Sequence, residues 1–169
     1  MEKQKVFSAY LPFELKCEVI NSGKEKEIGT LMGVYNDGSC VFGDIIERSH
    51  GFESVKPILF SLEDLTKPIT IGGKEIIAIV ELANEFTNNS FNDYYFDNFF
   101  KTELIVRQKY SKDWFKIYFK NNKIIGFDNN DTELPQFDIF QKLLEWKFNV
   151  FNLPETDYIK VTEENNPYK

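Results

Sequence analysis

The segment DWFKIYFKNNK, residues 113–123, mixes aromatic and cationic residues, and side chains with this spacing could bind a single-stranded nucleic acid. Successive side chains of a strand point to opposite faces, so Phe115, Ile117 and Phe119 would face the core. The opposite face would carry Trp114, Lys116, Tyr118 and Lys120, with Arg107 and Lys109 from the preceding strand. Rings stack on bases while cations contact phosphates. The structural alternative is a solvated sheet face stabilised by cation–π pairs.

A second candidate surface lies in residues 75–100, which contain five acidic and no basic residues. Its predicted contact residues are Asp93, Tyr94, Tyr95, Phe96 and Asp97. Aromatic rings rimmed by carboxylates suit a protein partner with a basic face, and such a surface could imitate the charge of a nucleic acid. The structural alternative is that Phe91, Tyr95 and Phe99, spaced four apart, are core residues of a short helix.

Residue types that carry catalysis or bind metals are scarce. His50 is the only histidine, and its context RSHGF is typical of an exposed turn. One histidine and two distant cysteines cannot form a zinc site without several carboxylates. The segment DNNDTE, residues 128–133, lacks the sixth-position glycine of a calcium loop and indicates a polar turn. The sequence therefore predicts a non-enzymatic protein without a metal or a cofactor.

Length and composition favour one globular domain. The chain has 169 residues, 42% of them hydrophobic, and a formal net charge of −7, which argues against nonspecific binding of nucleic acid by the whole surface. No apolar run is long enough for a signal peptide or a membrane span. Cys17 and Cys40 lie in strand-like apolar contexts and are predicted to be reduced core residues of a cytoplasmic protein. We expect a single domain over residues 1–162 and a polar tail over 163–169.

The elements that would position these surfaces begin with a β-meander. Residues 14–20 alternate between apolar and charged side chains, as in a half-buried strand. Two further strands, over 27–35 and 39–42, are joined by the turn signal Asn-Asp-Gly at 36–38. In the strand over 27–35, Gly29 and Gly33 indicate bulges or close backbone approach.

The segment SVKPILFSLEDLTKPIT, residues 54–70, predicts a rigid corner. Pro57 lacks an amide donor, which places the strand at a sheet edge or at a bulge. Ser61 and Asp64 have the spacing of a helix-capping pair, and Pro68 ends the turn.

Later segments predict a helix near 76–86, a short helix over 91–100, a hairpin over 104–110 and 113–120, and a third strand at 124–127. A broad apolar stripe near the C-terminus predicts a helix packed against a sheet. The fold class is therefore α+β, with a twisted, mostly antiparallel sheet, an N-terminal β-meander and a C-terminal helix packed on one face.

Four blocks stand out along the chain: YLPFELKC at 10–17, VKPILFSLEDLTKPI at 55–69, IVELA at 79–83 and LLEWKFNVFNL at 143–153. Together they resemble a recurrent pattern in uncharacterised proteins encoded by phages and mobile elements of Bacteroidota. The family has no activity to transfer. The resemblance implies a phage or prophage product that works in a bacterial cytoplasm.

Together these features predict a non-enzymatic binding protein of mobile-element origin that inhibits a host defence system through its acidic and aromatic surface. The expected partner is a host protein, such as a nucleic-acid-binding effector, and not a membrane. The alternative is an accessory protein that binds single-stranded nucleic acid through the basic and aromatic hairpin. The oligomeric state stays open.

Overall fold

The computed structural model describes residues 3–87, 90–100, 103–120 and 123–169, except for the side chains at 98–100, 120 and 123. Contacts divide the chain into two compact units. The first comprises Met1–Ser61 and Leu144–Pro167, and the second comprises Leu62–Leu143 and Tyr168–Lys169. None of the helices within these described ranges has the length and apolar composition that a membrane span requires.

The helices and strands confirm the predicted α+β class with mostly antiparallel sheets. In chain order they are α1 (Lys3–Tyr10), β1 (Lys16–Ile20), β2 (Lys26–Val34), β3 (Ser39–Gly43), β4 (Ser49–Gly51), β5 (Val55–Leu59), β6 (Pro68–Ile71), β7 (Lys74–Ile77), α2 (Ala78–Phe86), β8 (Tyr94–Phe100), β9 (Glu103–Gln108), β10 (Trp114–Lys120), β11 (Lys123–Phe127), α3 (Gln136–Glu145) and β12 (Ile159–Lys160).

The first unit contains a six-stranded sheet in the order β12-β5-β1-β2-β3-β4. Strands β1 to β3 form the predicted antiparallel meander, and β4, which was not predicted, extends it. The turn after β2 depends on Gly38, whose φ of 89° is accessible to glycine at low cost. The pairing of β2 with β3 shifts between Leu31 and Gly33, and a Cβ on Gly29 would stand 3.0 Å from the Phe42 Cβ. Both glycine predictions are therefore confirmed.

The expectation that Pro57 marks an edge or a bulge was wrong. Strand β5 pairs with β1 in regular register through Pro57, opposite Cys17, and β12 pairs in parallel with the next two residues. The neighbour on that side starts only at Ile58, so the strand is interior although proline lacks an amide donor.

Helix α1 was not predicted, although its buried residues Val6, Phe7 and Tyr10 have helical spacing. The Phe7 ring stacks on Phe52, with centroids 5.5 Å apart. The Tyr10 hydroxyl donates to the carbonyl of Phe148. These contacts connect the N-terminus to the core of the first unit.

Cys17 and Cys40 are free and buried, as predicted. Burial raises the pKa of the Cys17 thiol well above its usual value, and it raises the pKa of Cys40 to about 12. Burial therefore disfavours the thiolate, which is the nucleophilic form, at both positions.

The second unit begins with a short 3₁₀ turn over Leu62–Thr66, which the proline at position 68 follows as predicted. Asp64 is buried, and it accepts a 2.7 Å hydrogen bond from Lys67 Nζ. Strands β6 and β7 form a hairpin through Gly72 and Gly73, both at positive φ. Helix α2 follows directly and buries most of its apolar residues.

Strands β8 to β11 form a four-stranded antiparallel sheet in the order β11-β10-β9-β8. Helix α3 packs against it at Gly126 of β11, where a Cβ would stand only 2.5 Å from Ile139 Cδ1. Glycine thus permits the close approach of helix and strand. The predicted C-terminal helix on one sheet face is confirmed. Because α3 covers this face, partly exposed side chains of the four strands lie on the opposite face.

The last residues, predicted to be a polar tail, include a buried tyrosine. Tyr168 is 9% exposed, and its carbonyl accepts a 2.7 Å hydrogen bond from the amide of Gly72.

Candidate binding face of the four-stranded sheet

Strand β10 separates most of its side chains as the alternation predicts, although Phe119, predicted to face the core, is only partly buried. Phe115 and Ile117 are fully buried and lie on the face of the sheet against which α3 packs. Trp114, Lys116 and Tyr118 alternate with them and are all partly exposed. The side chain of Lys120, which was predicted to join them, lies outside the described part of the structure.

The register of the sheet brings residues from all four strands to this side. Arg107 of β9 stands opposite Trp114 on one neighbour and opposite Tyr95 on the other. On β11, Phe127 stands opposite Lys116. We call this side the outer face, and its described residues are Tyr95, Asp97, Glu103, Ile105, Arg107, Trp114, Lys116, Tyr118, Ile125 and Phe127.

The two surfaces predicted from the sequence meet on this outer face. Arg107 Nε donates to Asp97 Oδ2 at 2.7 Å, and both side chains are about one-third exposed. At the end of the same strand pair, Lys109 Nζ lies 3.8 Å from Asp93 Oδ1. The acids of the acidic segment therefore neutralise cations of the basic segment, and neither surface exists separately.

Lys116 is held differently from these two cations. Its ammonium lies 5.1 Å from the ring centroid of Trp114, 4.9 Å from that of Tyr118 and 5.5 Å from that of Phe127. A cation near an aromatic ring is stabilised by roughly 0.5–2 kcal/mol, and by more when water is excluded. The rings of Tyr118 and Phe127 also contact each other edge to face, with centroids 5.9 Å apart. Lys116 thus stands in an aromatic cage, formed by Trp114, Tyr118 and Phe127.

The predicted acidic contact residues do not form one patch. Residues 91–100 were expected to be helical, and this was wrong, because 94–100 form β8. The strand places Tyr94 and Phe96 on the side opposite Tyr95 and Asp97. Tyr95 is 47% exposed, whereas Tyr94 and Phe96 are partly buried with ring centroids 5.5 Å apart.

Phe91 precedes the strand and is buried, and its amide donates to Asn84 Oδ1. The core interpretation therefore holds for Phe91 but not for Tyr95. The side chain of Phe99 lies outside the described residues.

His50 was expected in an exposed turn, and this was wrong. It belongs to β4, is 6% exposed, and has its Nε2 2.5 Å from the carbonyl of Glu47. Residues 128–131 form the predicted polar turn, in which the Asp128 carboxylate accepts the amides of Asn130 and Thr132. Within the described ranges no group of three or more His, Cys, Asp or Glu residues is arranged to hold a metal.

The sequence reasoning missed Ile105, Ile125 and Phe127 as members of the outer face. Period-two alternation in β9 and β11, applied together with the hairpin register, could have placed all three. It also missed Gly126, although an isolated glycine inside a strand is a signal of close backbone approach.

Comparison with protein families, with characterised proteins and with solved structures finds no match for this chain. Evidence for the function of the chain therefore comes from the geometry of its outer face.

Proposed function

We propose that this chain is a non-enzymatic recognition protein that binds a protein partner through the outer face of the four-stranded sheet. The observation that carries the proposal is the grouping of Tyr95, Arg107, Trp114 and Tyr118 on one side of a rigid sheet. Tyr, Trp and Arg are the residue types that contribute most of the binding energy at protein interfaces.

The charge balance of this region favours a protein over a polyanion. Its described charged side chains are three acids and three cations, namely Asp93, Asp97, Glu103, Arg107, Lys109 and Lys116. Two of the cations are already paired with aspartates. A mixed, largely paired set of charges suits a protein interface, whereas a nucleic-acid site needs an excess of cations.

The supporting strand is suited to recognition because its buried side is firmly packed. Phe115 and Ile117 have no solvent exposure, so the backbone that carries Trp114 and Tyr118 is held in place by the core. A preorganised surface loses less conformational entropy when it binds.

In the cell, the partner that we propose is a host defence protein whose action the chain inhibits. The family resemblance to products of phages and mobile elements supports this biological setting. The pairing of Asp93 and Asp97 modifies the original expectation, because a basic partner would have to compete with Lys109 and Arg107 for them.

Differential capture from a bacterial host lysate tests the proposal. Wild type is compared with the double variant Trp114→Ala/Tyr118→Ala and with the control Phe137→Ala, which removes a 71% exposed aromatic residue on α3. We expect a protein that wild type and the control retain and the double variant loses. Equal capture by all three proteins would contradict the proposal.

A second candidate, binding of single-stranded nucleic acid, is favoured by the cation of Lys116 among its three aromatic rings. This function predicts a gel shift with a single-stranded oligonucleotide at low salt that weakens steeply as salt is added. The absence of a shift at low salt would exclude it.

A further inference from the structure

Three described cations lie on the outer face or directly beside it, namely Arg107, Lys116 and Lys109, and they differ in their partners. Arg107 and Lys109 each have an aspartate from the β8 segment within ion-pair distance. For Lys116, the described residues provide aromatic rings but no ion pair or hydrogen bond. Lys116 is thus the cation of this face whose charge remains unmatched by an acid within the described part of the chain.

The position of Lys116 makes an internal acid partner unfavourable. On its two neighbouring strands it stands opposite Ile105 and Phe127, which are both apolar. Glu103 stands opposite Tyr118, one diagonal position from Lys116. Diagonal neighbours of adjacent strands are about 7–8 Å apart at Cα, and within the described residues the two side chains form no ion pair.

We infer that the partner presents an aspartate or glutamate to Lys116, with an apolar group of the same segment resting on Trp114 or Tyr118. This inference rests on the proposed function and names the chemistry of the partner. The ammonium has three N–H groups, and cation–π contacts do not use them as hydrogen bonds to an acceptor, so they can still donate to a carboxylate. A carboxylate placed there forms a charge-assisted hydrogen bond, and the surrounding rings exclude water from it.

Charge complementarity selects an acidic segment over a basic one. A lysine or arginine of a partner would face the Lys116 ammonium at close range, where like charges repel. At Asp93 or Asp97 it would compete with Lys109 or Arg107 for the carboxylate. An acidic side chain is attracted to the Lys116 ammonium and does not compete with Lys109 or Arg107 for the aspartates.

Selection of random short peptides displayed on phage tests the inference. Peptides are selected on wild type and depleted on the Trp114→Ala/Tyr118→Ala variant, so that only binders of the outer face remain. We expect an aspartate or glutamate next to an apolar residue in the recovered sequences. Recovered sequences rich in lysine or arginine would overturn the inference but not the proposed function.

Binding of the recovered peptides to three lysine variants isolates the charge. Lys116→Met keeps an aliphatic chain against the rings but removes the ammonium, and we expect roughly tenfold or greater loss of affinity. Lys116→Arg should retain most of the binding. The control Lys109→Met removes a cation that already has an aspartate and should have little effect.

The two proposals fail in different ways. Equal affinity of Lys116→Met and wild type refutes the inference and leaves the proposed function intact. Failure to recover any peptide that depends on Trp114 and Tyr118, together with equal capture from the lysate, contradicts both. A gel shift with an oligonucleotide that Lys116→Met abolishes would assign the cation to phosphate instead of a carboxylate.

Zero-length carbodiimide crosslinking gives an independent readout with the protein captured from the lysate. The reagent joins an amine to a carboxylate that is in direct contact with it. We expect mass spectrometry to identify a crosslink between Lys116 and an aspartate or glutamate of the partner. Crosslinks that involve only other lysines of the chain would contradict the inference.

Discussion

The two faces of the four-stranded sheet are built from the same strands, yet they use their aromatic residues differently. On the inner face, Phe115 is fully buried, and its ring lies close to Gly126 where α3 crosses the sheet. On the outer face, Trp114 and Tyr118 remain partly exposed and surround a lysine. Burial explains the first set of rings, but it does not explain why large rings remain at the surface around a cation.

This difference teaches that adjacent residues of one strand can serve separate purposes. Removal of an inner residue should lower stability, whereas removal of an outer residue should lower binding and leave the fold intact. The predictions below test this separation, from the largest expected effect to the smallest.

The largest effect is expected for Phe115→Ala. Truncation of a fully buried phenylalanine leaves a cavity and should lower the free energy of unfolding by about 3–5 kcal/mol. The matched variant Trp114→Ala should cost less, because this ring is only partly buried and its removal leaves no enclosed cavity. Urea unfolding followed by circular dichroism measures both. Similar losses for the two variants would contradict the division between the faces.

A smaller loss is expected for Gly126→Ala, which adds one methyl group to the inner face. Its Cβ would stand 2.5 Å from Ile139 Cδ1, with Leu134 and Phe115 side-chain atoms at 3.6 Å. Because Ile139 is fully buried, it cannot move away freely, and overpacking should cost about 1–3 kcal/mol.

Gly51→Ala is the control for this substitution. Gly51 has a φ of −69°, and no atom lies within 4 Å of its added Cβ. The free energy of unfolding of the Gly51→Ala variant should differ from that of wild type by less than about 1 kcal/mol. If Gly126→Ala changes the free energy of unfolding as little as Gly51→Ala does, α3 does not pack closely against β11 at Gly126.

Smaller still is the effect expected from the ion pairs of the outer face. Asp97→Asn removes the negative charge from a 2.7 Å contact with Arg107 and should cost about 0.5–1 kcal/mol at low salt. Asp93→Asn disrupts only a 3.8 Å contact with Lys109 and should cost less. A double-mutant cycle of Asp97 and Arg107 gives the coupling energy, which added salt should reduce. Zero coupling at low salt would show that the pair does not stabilise the sheet.

The smallest effect concerns Asp128, which is held by amides instead of an opposite charge. Burial favours its neutral form, but hydrogen bonds from Thr132 and Asn130 outweigh this effect and lower the pKa of Asp128. The stabilisation is therefore present above the unfolded-state pKa and is lost as pH falls through the folded-state pKa, below about pH 4.

We expect wild type to lose more stability than Asp128→Asn as the pH is lowered through this range, as measured by urea unfolding at a series of pH values. Added salt should change this difference less than it changes the Asp97 coupling. Parallel pH profiles for the two proteins would contradict the assigned hydrogen bonds.

Local patterns in the sequence predicted much of the fold. The meander followed from alternation in residues 14–20 and from the positive-φ turn at Gly38, and both signals depend only on neighbouring residues. The hairpin of β9 and β10 followed in the same way, because period two assigns Phe115 and Trp114 to opposite faces whatever lies elsewhere.

The error over residues 91–100 has a physical origin. A spacing of four residues between aromatics fits a helical face, but it is also an even number and fits one face of a strand. Pairing with β9 decides between them, and it depends on residues that follow in the chain. Local spacing could not reveal that Asp97 would meet Arg107, so the acidic and basic segments were treated as separate surfaces.

Titration of the purified partner into the protein tests the central claim most directly. If the outer face binds a protein, isothermal calorimetry should show roughly a hundredfold or greater loss of affinity for Trp114→Ala/Tyr118→Ala. Phe137→Ala should bind like wild type, and all three proteins should give the same circular dichroism spectrum. Undiminished affinity of the folded double variant would contradict the claim that this face is the binding site.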